Sequence, residues 1–294
     1  MLGFSLEFPL IHTRISLTCL AFHVLALLVM APAALAQAPS ATALATDPDR
    51  PLQVPGLVLK DTVAVFTAPV AWDGQDWMYC GLAVAAVAGS AMLLDRPVHN
   101  LMVRNARSSW DQPAQQIQKL GTSYAVALAG GFYLTGWATG KDDVRSTGTD
   151  AISASLITGA LIVPASKYII GRAAPDSGAG PTSFKAFGSG DNSFPSGHTT
   201  EAFTLASVIA SHYTDTWVQV TSYGMASLVG IARLEQNAHW TSDVVAGGIL
   251  GTVVGKAVVR MNQRIRENDH AGLEFSVVPE VRPGYRGLQA ALRF

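Results

Sequence analysis

The sequence predicts an all-α fold, a bundle of about six core helices. Six stretches of helical length are apolar or weakly polar, and polar segments separate them; they cover about 77–94, 121–139, 151–171, 196–213, 217–233 and 241–262. Charged residues make up 14% of the 294 residues, against about 25% in ordinary globular chains. This low share of charge indicates either a large buried core or contact with a membrane.

The two ends of the chain differ in composition from this helical centre. Arg14 precedes an apolar stretch that ends in the small residues Ala34-Leu35-Ala36, a pattern typical of a cleaved secretory signal. A structural N-terminal helix is the alternative. We therefore divide the chain into four segments: a signal peptide over 1–36, a flexible leader over 37–72, a helical domain over 73–266 and a tail over 267–294.

The tail alternates apolar and polar residues on both sides of Arg282-Pro283-Gly284-Tyr285. Period-two alternation around a turn favours a short C-terminal β-hairpin. The formal net charge of −1 gives no reason to expect nucleic-acid binding.

Two short motifs combine the residue types that phosphoryl transfer requires. The first is Phe194-Pro195-Ser196-Gly197-His198-Thr199, and the second joins Arg233, His239 and Asp243 with the spacing R-x5-H-x3-D. Cations and backbone N–H groups stabilise the charge of a phosphoryl group in the transition state. An imidazole can serve as nucleophile or, near neutral pH, as general acid. The motifs therefore predict phosphoryl transfer through a covalent phosphohistidine.

Together with Lys167, these motifs resemble the site of the type 2 phosphatidic acid phosphatase (PAP2) superfamily, which vanadium haloperoxidases share. The resemblance implies an α-helical fold and three catalytic residues. His239 would be the nucleophile, Asp243 would hold its imidazole in the reactive tautomer, and His198 would protonate the leaving alkoxide.

The same resemblance implies a set of phosphate-binding residues. Lys167 and Arg233 would clamp the phosphate oxygens. Ser196 would donate its hydroxyl, and Gly197 would donate its N–H at a helix N-terminus, where anions bind readily. Because the motif residues fall at the ends of four predicted helices, we expect those ends to converge at one end of the bundle.

One position departs from the family pattern K-x6-R-P. Lys167 and Pro175 have the expected spacing, but Ala174 stands where the family has arginine. We expect Arg172 to compensate as a phosphate ligand, since residues two apart share a face of an extended segment. Lys185 could supply the cation instead, or the protein could bind phosphate without turning it over.

The helices fit two settings. They could be buried helices of an exported periplasmic domain, soluble or bound peripherally to a membrane, which is the form we expect. They could instead be membrane spans, since a span needs about 20 mainly apolar residues. Either way the prediction is a bacterial-type cell-envelope protein.

The resemblance implies a phosphatase that needs neither metal nor cofactor and hydrolyses phosphate monoesters or lipid phosphates. Two alternatives remain: a vanadium-dependent haloperoxidase, and a non-catalytic phospholipid-binding protein of the envelope, which Ala174 motivates. The expected partner is a phosphate-ester or phospholipid substrate.

Overall fold

The computed structural model describes residues 48–105, 108–188, 192–271, 274–282 and 285–293. The predicted signal peptide and the first part of the leader lie outside these residues. The described helices are α1 (Val54–Thr67), α2 (Gly74–Leu93), α3 (Asp95–Asn105), α4 (Ser108–Ile117), α5 (Ser123–Thr139), α6 (Asp142–Ser155), α7 (Val163–Ile170), α8 (Gly197–His212), α9 (Thr216–Glu235) and α10 (Thr241–Ala271). A π-helical turn, Leu156–Ile162, joins α6 to α7.

Helix α8 lies at the centre of the bundle and packs against α6, α9 and α10. Its buried residues Leu205, Val208 and Ile209 join a cluster that includes Ile157 and Val258. A second apolar cluster joins α8 to α9. The all-α prediction is confirmed, and each of the six predicted stretches is helical.

Small residues allow α8 and α10 to approach closely. Glycines recur every four residues along one side of α10, at Gly247, Gly251 and Gly255. A Cβ atom on Gly251 would lie 2.2 Å from the carbonyl oxygen of Thr200. The backbone of α8 therefore occupies the space that a side chain would need.

Two regions are helical although none of the six predicted stretches covers them. The leader predicted over 37–72 contains α1, whose Asp61 is buried and accepts hydrogen bonds from Ser153 and Asn262. The polar segment 95–119 forms α3 and α4. Both regions carry polar side chains that tertiary contacts bury or pair, which composition alone does not indicate.

The predicted C-terminal hairpin forms. Strands β1 (Glu274–Arg282) and β2 (Tyr285–Arg293) pair antiparallel, with Glu274 opposite Arg293 and Arg282 opposite Tyr285.

Among the described residues, four helical segments are long and apolar enough to cross a membrane: Val54–Ala71, Gly74–Leu93, Asp142–Ile170 and Thr241–Glu267. Large apolar side chains also lie on the surface, among them Trp77 and Met92, whose exposed fractions are 55% and 83%. Soluble monomers rarely present extended apolar surface of this kind. These features support association with a membrane, and they shift the weight away from the soluble form that the sequence favoured.

Candidate active site

Four helix ends meet around a cleft of about 570 Å³. Lys167 lies in the last turn of α7, Gly197 and His198 lie in the first turn of α8, and Arg233 lies in the last turn of α9. His239 stands in the short connection before α10. All five residues line the cleft, so the predicted convergence of helix ends is found.

The His239 ring is buried, and its orientation is fixed by a backbone carbonyl. Its Nδ1 atom lies 2.7 Å from the carbonyl oxygen of Ser193. A carbonyl only accepts hydrogen bonds, so Nδ1 carries the hydrogen and Nε2 of the neutral ring keeps a lone pair. Burial lowers the pKa of His239, although the Asp243 carboxylate opposes this effect. The neutral ring with a free Nε2 is the form that a nucleophile requires.

Asp243 makes no direct hydrogen bond to His239 and is connected to it through Ser193. Its Oδ2 lies 3.8 Å from His239 Nδ1, too far for a hydrogen bond. The same oxygen accepts hydrogen bonds from the Ser193 hydroxyl and from the Trp240 N–H. The prediction that Asp243 holds the imidazole stays a prediction; in this structure the connection runs through Ser193, because His239 precedes α10.

Arg172 lies behind Asp243 and outside the cleft lining. Its side chain is buried, and its Nη1 lies 2.6 Å from Asp243 Oδ1 and 2.7 Å from Ser242 Oγ. Its Nη2 lies 2.6 Å from Asp95 Oδ2, and Nε and Nη2 both donate to the carbonyl oxygen of Pro181.

These five hydrogen bonds match the five N–H donors of a guanidinium. The prediction that Arg172 contacts the phosphate is therefore corrected. Its cation neutralises buried carboxylates instead, and it fixes the position of Asp243.

Asp95 is a member of this network that sequence reasoning missed. It is fully buried at the start of α3, where its Oδ1 accepts a hydrogen bond from the Ser242 N–H and its Oδ2 from the Ser242 hydroxyl. It lies 77 residues from Arg172 along the chain, and no motif marks it.

Lys167 is held at the cleft by the end of its helix and by the loop opposite. Gly171 ends α7 in the left-handed conformation, with φ of 57°, and its N–H donates to the Lys167 carbonyl at 2.8 Å. A Cβ atom on Gly171 would lie 1.9 Å from the carbonyl oxygen of Lys185, so only glycine fits. The Lys167 ammonium donates to the carbonyl oxygen of Asn192.

Arg233 is the second cation of the cleft. Its Nη1 donates to the side-chain oxygens of Gln118 and Gln236. Its Nε is buried without a hydrogen-bond partner among the described residues. An anion in the cleft would meet a guanidinium that two glutamines already orient.

Ser196 begins α8, as predicted, but its hydroxyl does not reach the cleft. The residue is fully buried, and Ser196 Oγ lies 2.8 Å from Thr199 Oγ1. Its N–H donates to the Asp243 carbonyl at 3.0 Å, and its side chain makes no capping hydrogen bond. The predicted hydroxyl contact with phosphate is thus corrected. Gly197 keeps its predicted place, at a helix N-terminus where backbone N–H groups are free to bind anions.

His198 faces the cleft beside these cations. Its pKa is lowered from 6.5 to about 4 by burial and then by the neighbouring Arg233, His239 and Lys167. The ring is therefore neutral near pH 7 in the free protein. An anion bound among these groups would favour the protonated ring.

Ala174, which stands where the family pattern has arginine, lines the cleft. Lys185 is exposed and is not among the described residues of the cleft lining. Neither Arg172 nor Lys185 therefore takes the place of the missing arginine side chain in this structure.

A protein-family model matches part of the chain. Residues 151–267 match the model of the PAP2 superfamily. Over this segment the chain is similar to the PAP2 superfamily. The PAP2 segment contains both histidines, both cleft cations and Asp243.

One protein of known name is similar over part of the chain. A lipid A 1-phosphatase from Porphyromonas gingivalis is 38% identical over 110 residues, which cover 37% of this chain and 22% of that protein. The match thus spans about a fifth of the relative's length.

Two solved structures are similar at 20% identity. LpxE from Aquifex aeolicus has a TM-score of 0.44 and covers 57% of this chain and 95% of its own. A PAP2-type phosphatidylglycerolphosphate phosphatase from Bacillus subtilis has a TM-score of 0.38 and covers 73% and 96%.

Replacing Arg172 tests its role in the buried network. Arg172→Leu leaves two buried carboxylates without their cation, so we expect the free energy of unfolding to fall by about 3–5 kcal/mol. The measurement is denaturant unfolding in detergent, followed by circular dichroism. Asp142→Asn is the control, because Asp142 is 83% exposed and its surface ion pair contributes at most about 1 kcal/mol. If Arg172→Leu is as stable as the control but no longer binds phosphate, Arg172 is a phosphate ligand and this assignment is wrong.

The low pKa of His198 predicts proton uptake when phosphate binds. The free ring is neutral above about pH 4, and a bound anion raises its pKa. At a pH between the pKa of His198 in the free protein and its higher pKa in the phosphate complex, binding should take up as much as about one proton. The affinity for phosphate should therefore rise as pH falls. Calorimetry of phosphate binding at pH 6, in buffers of different ionisation enthalpy, measures this uptake.

His198→Gln separates the proton on His198 from the ionisation of phosphate itself. The variant should take up less proton than the unaltered protein under the same conditions. Equal uptake in both proteins would show that His198 stays neutral in the complex and does not act as an acid.

Proposed function

We propose that this protein is a PAP2-type phosphatase that hydrolyses lipid phosphates through a phosphohistidine on His239. One observation carries the proposal. The bond from His239 Nδ1 to the Ser193 carbonyl leaves the Nε2 lone pair in a cleft that also holds Lys167, Arg233 and His198.

In the first step, the Nε2 electron pair attacks phosphorus as the phosphorus–oxygen bond to the leaving group breaks. His198, protonated in the phosphate complex, gives its proton to the leaving alkoxide. His239 then carries the phosphoryl group on Nε2, and Nδ1 keeps its hydrogen bond to Ser193. Asp243, close behind, stabilises the positive charge that the ring acquires.

In the second step, water attacks the phosphohistidine. Neutral His198 accepts the proton of that water, the nitrogen–phosphorus bond breaks, and its electrons return to Nε2. Inorganic phosphate leaves, and both histidines regain their starting state. His198, the leaving group and water account for every proton that moves in these two steps. No step of this scheme uses a metal ion.

Lys167, Arg233 and the N–H groups at the start of α8 face the equatorial oxygens in this scheme. Their contribution is electrostatic, since phosphoryl transfer depends mostly on positioning and charge stabilisation. Ala174 removes one such contact relative to the family pattern. A charge-assisted hydrogen bond contributes about 1.5–3 kcal/mol, so we expect a slower enzyme than one with arginine there.

A lipid substrate is supported by where the cleft lies along the helices. Lys167 is near the end of one apolar segment, Asp142–Ile170, and Asp243 is near the start of another, Thr241–Glu267. If these segments cross a membrane, the cleft opens at one membrane face, where lipid headgroups are found. The related lipid A 1-phosphatase acts, by its name, on a lipid phosphate. We propose an integral membrane enzyme of the cell envelope whose site faces the periplasm.

Ala174 also favours a second candidate function, a phospholipid-binding protein without turnover. The cleft would then bind the phosphate through Lys167 and Arg233 but would stabilise the transition state too weakly. Turnover by the purified protein separates the two functions.

The proposed activity predicts release of phosphate from phosphatidic acid in detergent, with EDTA present. His239→Ala should lower this rate by at least about 1,000-fold, because it removes the nucleophile of the covalent pathway. The matched control is His99→Ala, since His99 packs against Trp240 and lies outside the cleft lining. Trapping of radiolabelled phosphoryl-enzyme in acid should succeed only when His239 is present.

Folded protein that binds phosphatidic acid without releasing phosphate would support the binding function instead. Activity that EDTA abolishes would contradict the proposed mechanism.

A further inference from the structure

Two kinds of residue line the cleft. The two cations and the two histidines are suited to the phosphate. Glu201 and several small or uncharged residues, among them Gly121, Thr122, Gly159 and Val163, also line it. The proposed function, on which this inference rests, places the phosphate among the cations. The group that carries the phosphate, here called the carrier, then contacts the other lining residues, Glu201 among them.

Glu201 stands one helical turn beyond His198 on α8. Residues three apart on a helix lie on the same side, about 5–6 Å apart at Cβ. The π-helical turn lies opposite, where a Cβ atom on Gly159 would be 3.6 Å from Glu201 Oε2. The absence of a side chain at Gly159 leaves room beside the carboxyl group, and π turns of this kind are frequent at functional sites.

The Glu201 carboxyl group is only partly satisfied by the protein. Its Oε1 is buried and has no hydrogen-bond partner in the part of the chain that the structure describes. The side chains of Ser155 and Thr158 stabilise the carboxylate from the π-turn side. A buried polar atom without a partner costs free energy, and this atom lies in the wall of a substrate cleft.

We propose that Glu201 is a specificity-determining residue that binds a hydroxyl group on the carrier, next to the phosphorylated carbon. The favoured substrates are then lipid phosphates that keep a free hydroxyl beside the phosphorylated carbon, such as monoacylglycerol phosphates. A plain alkyl or polyprenyl phosphate supplies no donor and would leave Oε1 unpaired.

A hydroxyl suits this position better than a group that can only donate. Burial raises the pKa of the Glu201 carboxyl group, against the opposing effect of Ser155 and Thr158. A hydroxyl can donate to the carboxylate and can accept from the protonated acid. A substrate hydroxyl can therefore stay hydrogen-bonded to Glu201 whether the carboxyl group is ionised or protonated, also when a phosphate anion lies nearby.

The test compares two lipids that differ in one hydroxyl. Lysophosphatidic acid has a hydroxyl next to the phosphorylated carbon, and its 2-deoxy analogue lacks it. Dissociation constants are measured by calorimetry in detergent, in full-length protein carrying His239→Ala so that neither lipid is consumed. With Glu201 present, we expect lysophosphatidic acid to bind about ten-fold more tightly, as one hydrogen bond to a charged group allows.

Two variants show whether Glu201 is the cause. Glu201→Leu should bring the ratio of the two dissociation constants to about one, whereas Glu201→Gln, which keeps an acceptor oxygen, should retain most of the preference. Equal dissociation constants with Glu201 present would overturn the proposal, and so would a preference that persists in Glu201→Leu. If the leucine variant does not fold, the two values measured with Glu201 present still decide.

Turnover is measured separately, in protein that keeps His239. Failure to hydrolyse either lipid would contradict the proposed function but not the contact with Glu201. Hydrolysis of both lipids at equal affinity would contradict the contact with Glu201 but not the proposed function.

Discussion

The buried carboxylate of Asp243 is the interaction on which the rest of the site depends. It joins the guanidinium of Arg172 on one side to the hydroxyl of Ser193 and the N–H of Trp240 on the other. Ser193 in turn fixes the ring of His239 through its carbonyl oxygen. Moving the carboxylate would therefore disturb the loop residue that selects the tautomer of the nucleophile.

This arrangement carries an electrostatic cost. Asp95, Asp243 and Arg172 are all removed from water, and buried charges are stable only when paired and hydrogen-bonded. Arg172 lies between the two carboxylates and uses all of its donors, and Ser242 supplies further hydrogen bonds to Asp95. The network links the start of α3, the loop after α7 and the start of α10, so it also holds together the elements that form the cleft.

Much of the cleft could be predicted from the sequence because its chemistry resides in short local patterns. The bounds of the predicted helices put Lys167, His198 and Arg233 at helix ends, and the structure has them there. The roles of Arg172 and Ser196 could not be predicted, because burial and hydrogen-bond partners depend on packing between distant segments. Asp95 illustrates the same limit.

In the fold, too, local sequence predicted some elements and not others. Long apolar stretches predicted six helices, since length and apolar composition alone identify them. Helices α3 and α4 were missed because their segment is polar, whereas α1 was missed although Val54–Ala71 is apolar, because that segment was assigned to the leader. A carboxyl group such as that of Glu201 carries no motif, and only its buried, unpaired oxygen distinguishes it.

The most direct test of this account is the protonation of each ring nitrogen of His239. The measurement is ¹⁵N NMR of histidine-labelled protein at neutral pH, with the signals of His239 assigned from a His239→Gln variant among the seven histidines of the chain. The account predicts a neutral ring with hydrogen on Nδ1 and none on Nε2. A hydrogen on Nε2, or a ring charged at neutral pH, would contradict it, because the lone pair that attacks phosphorus would be absent.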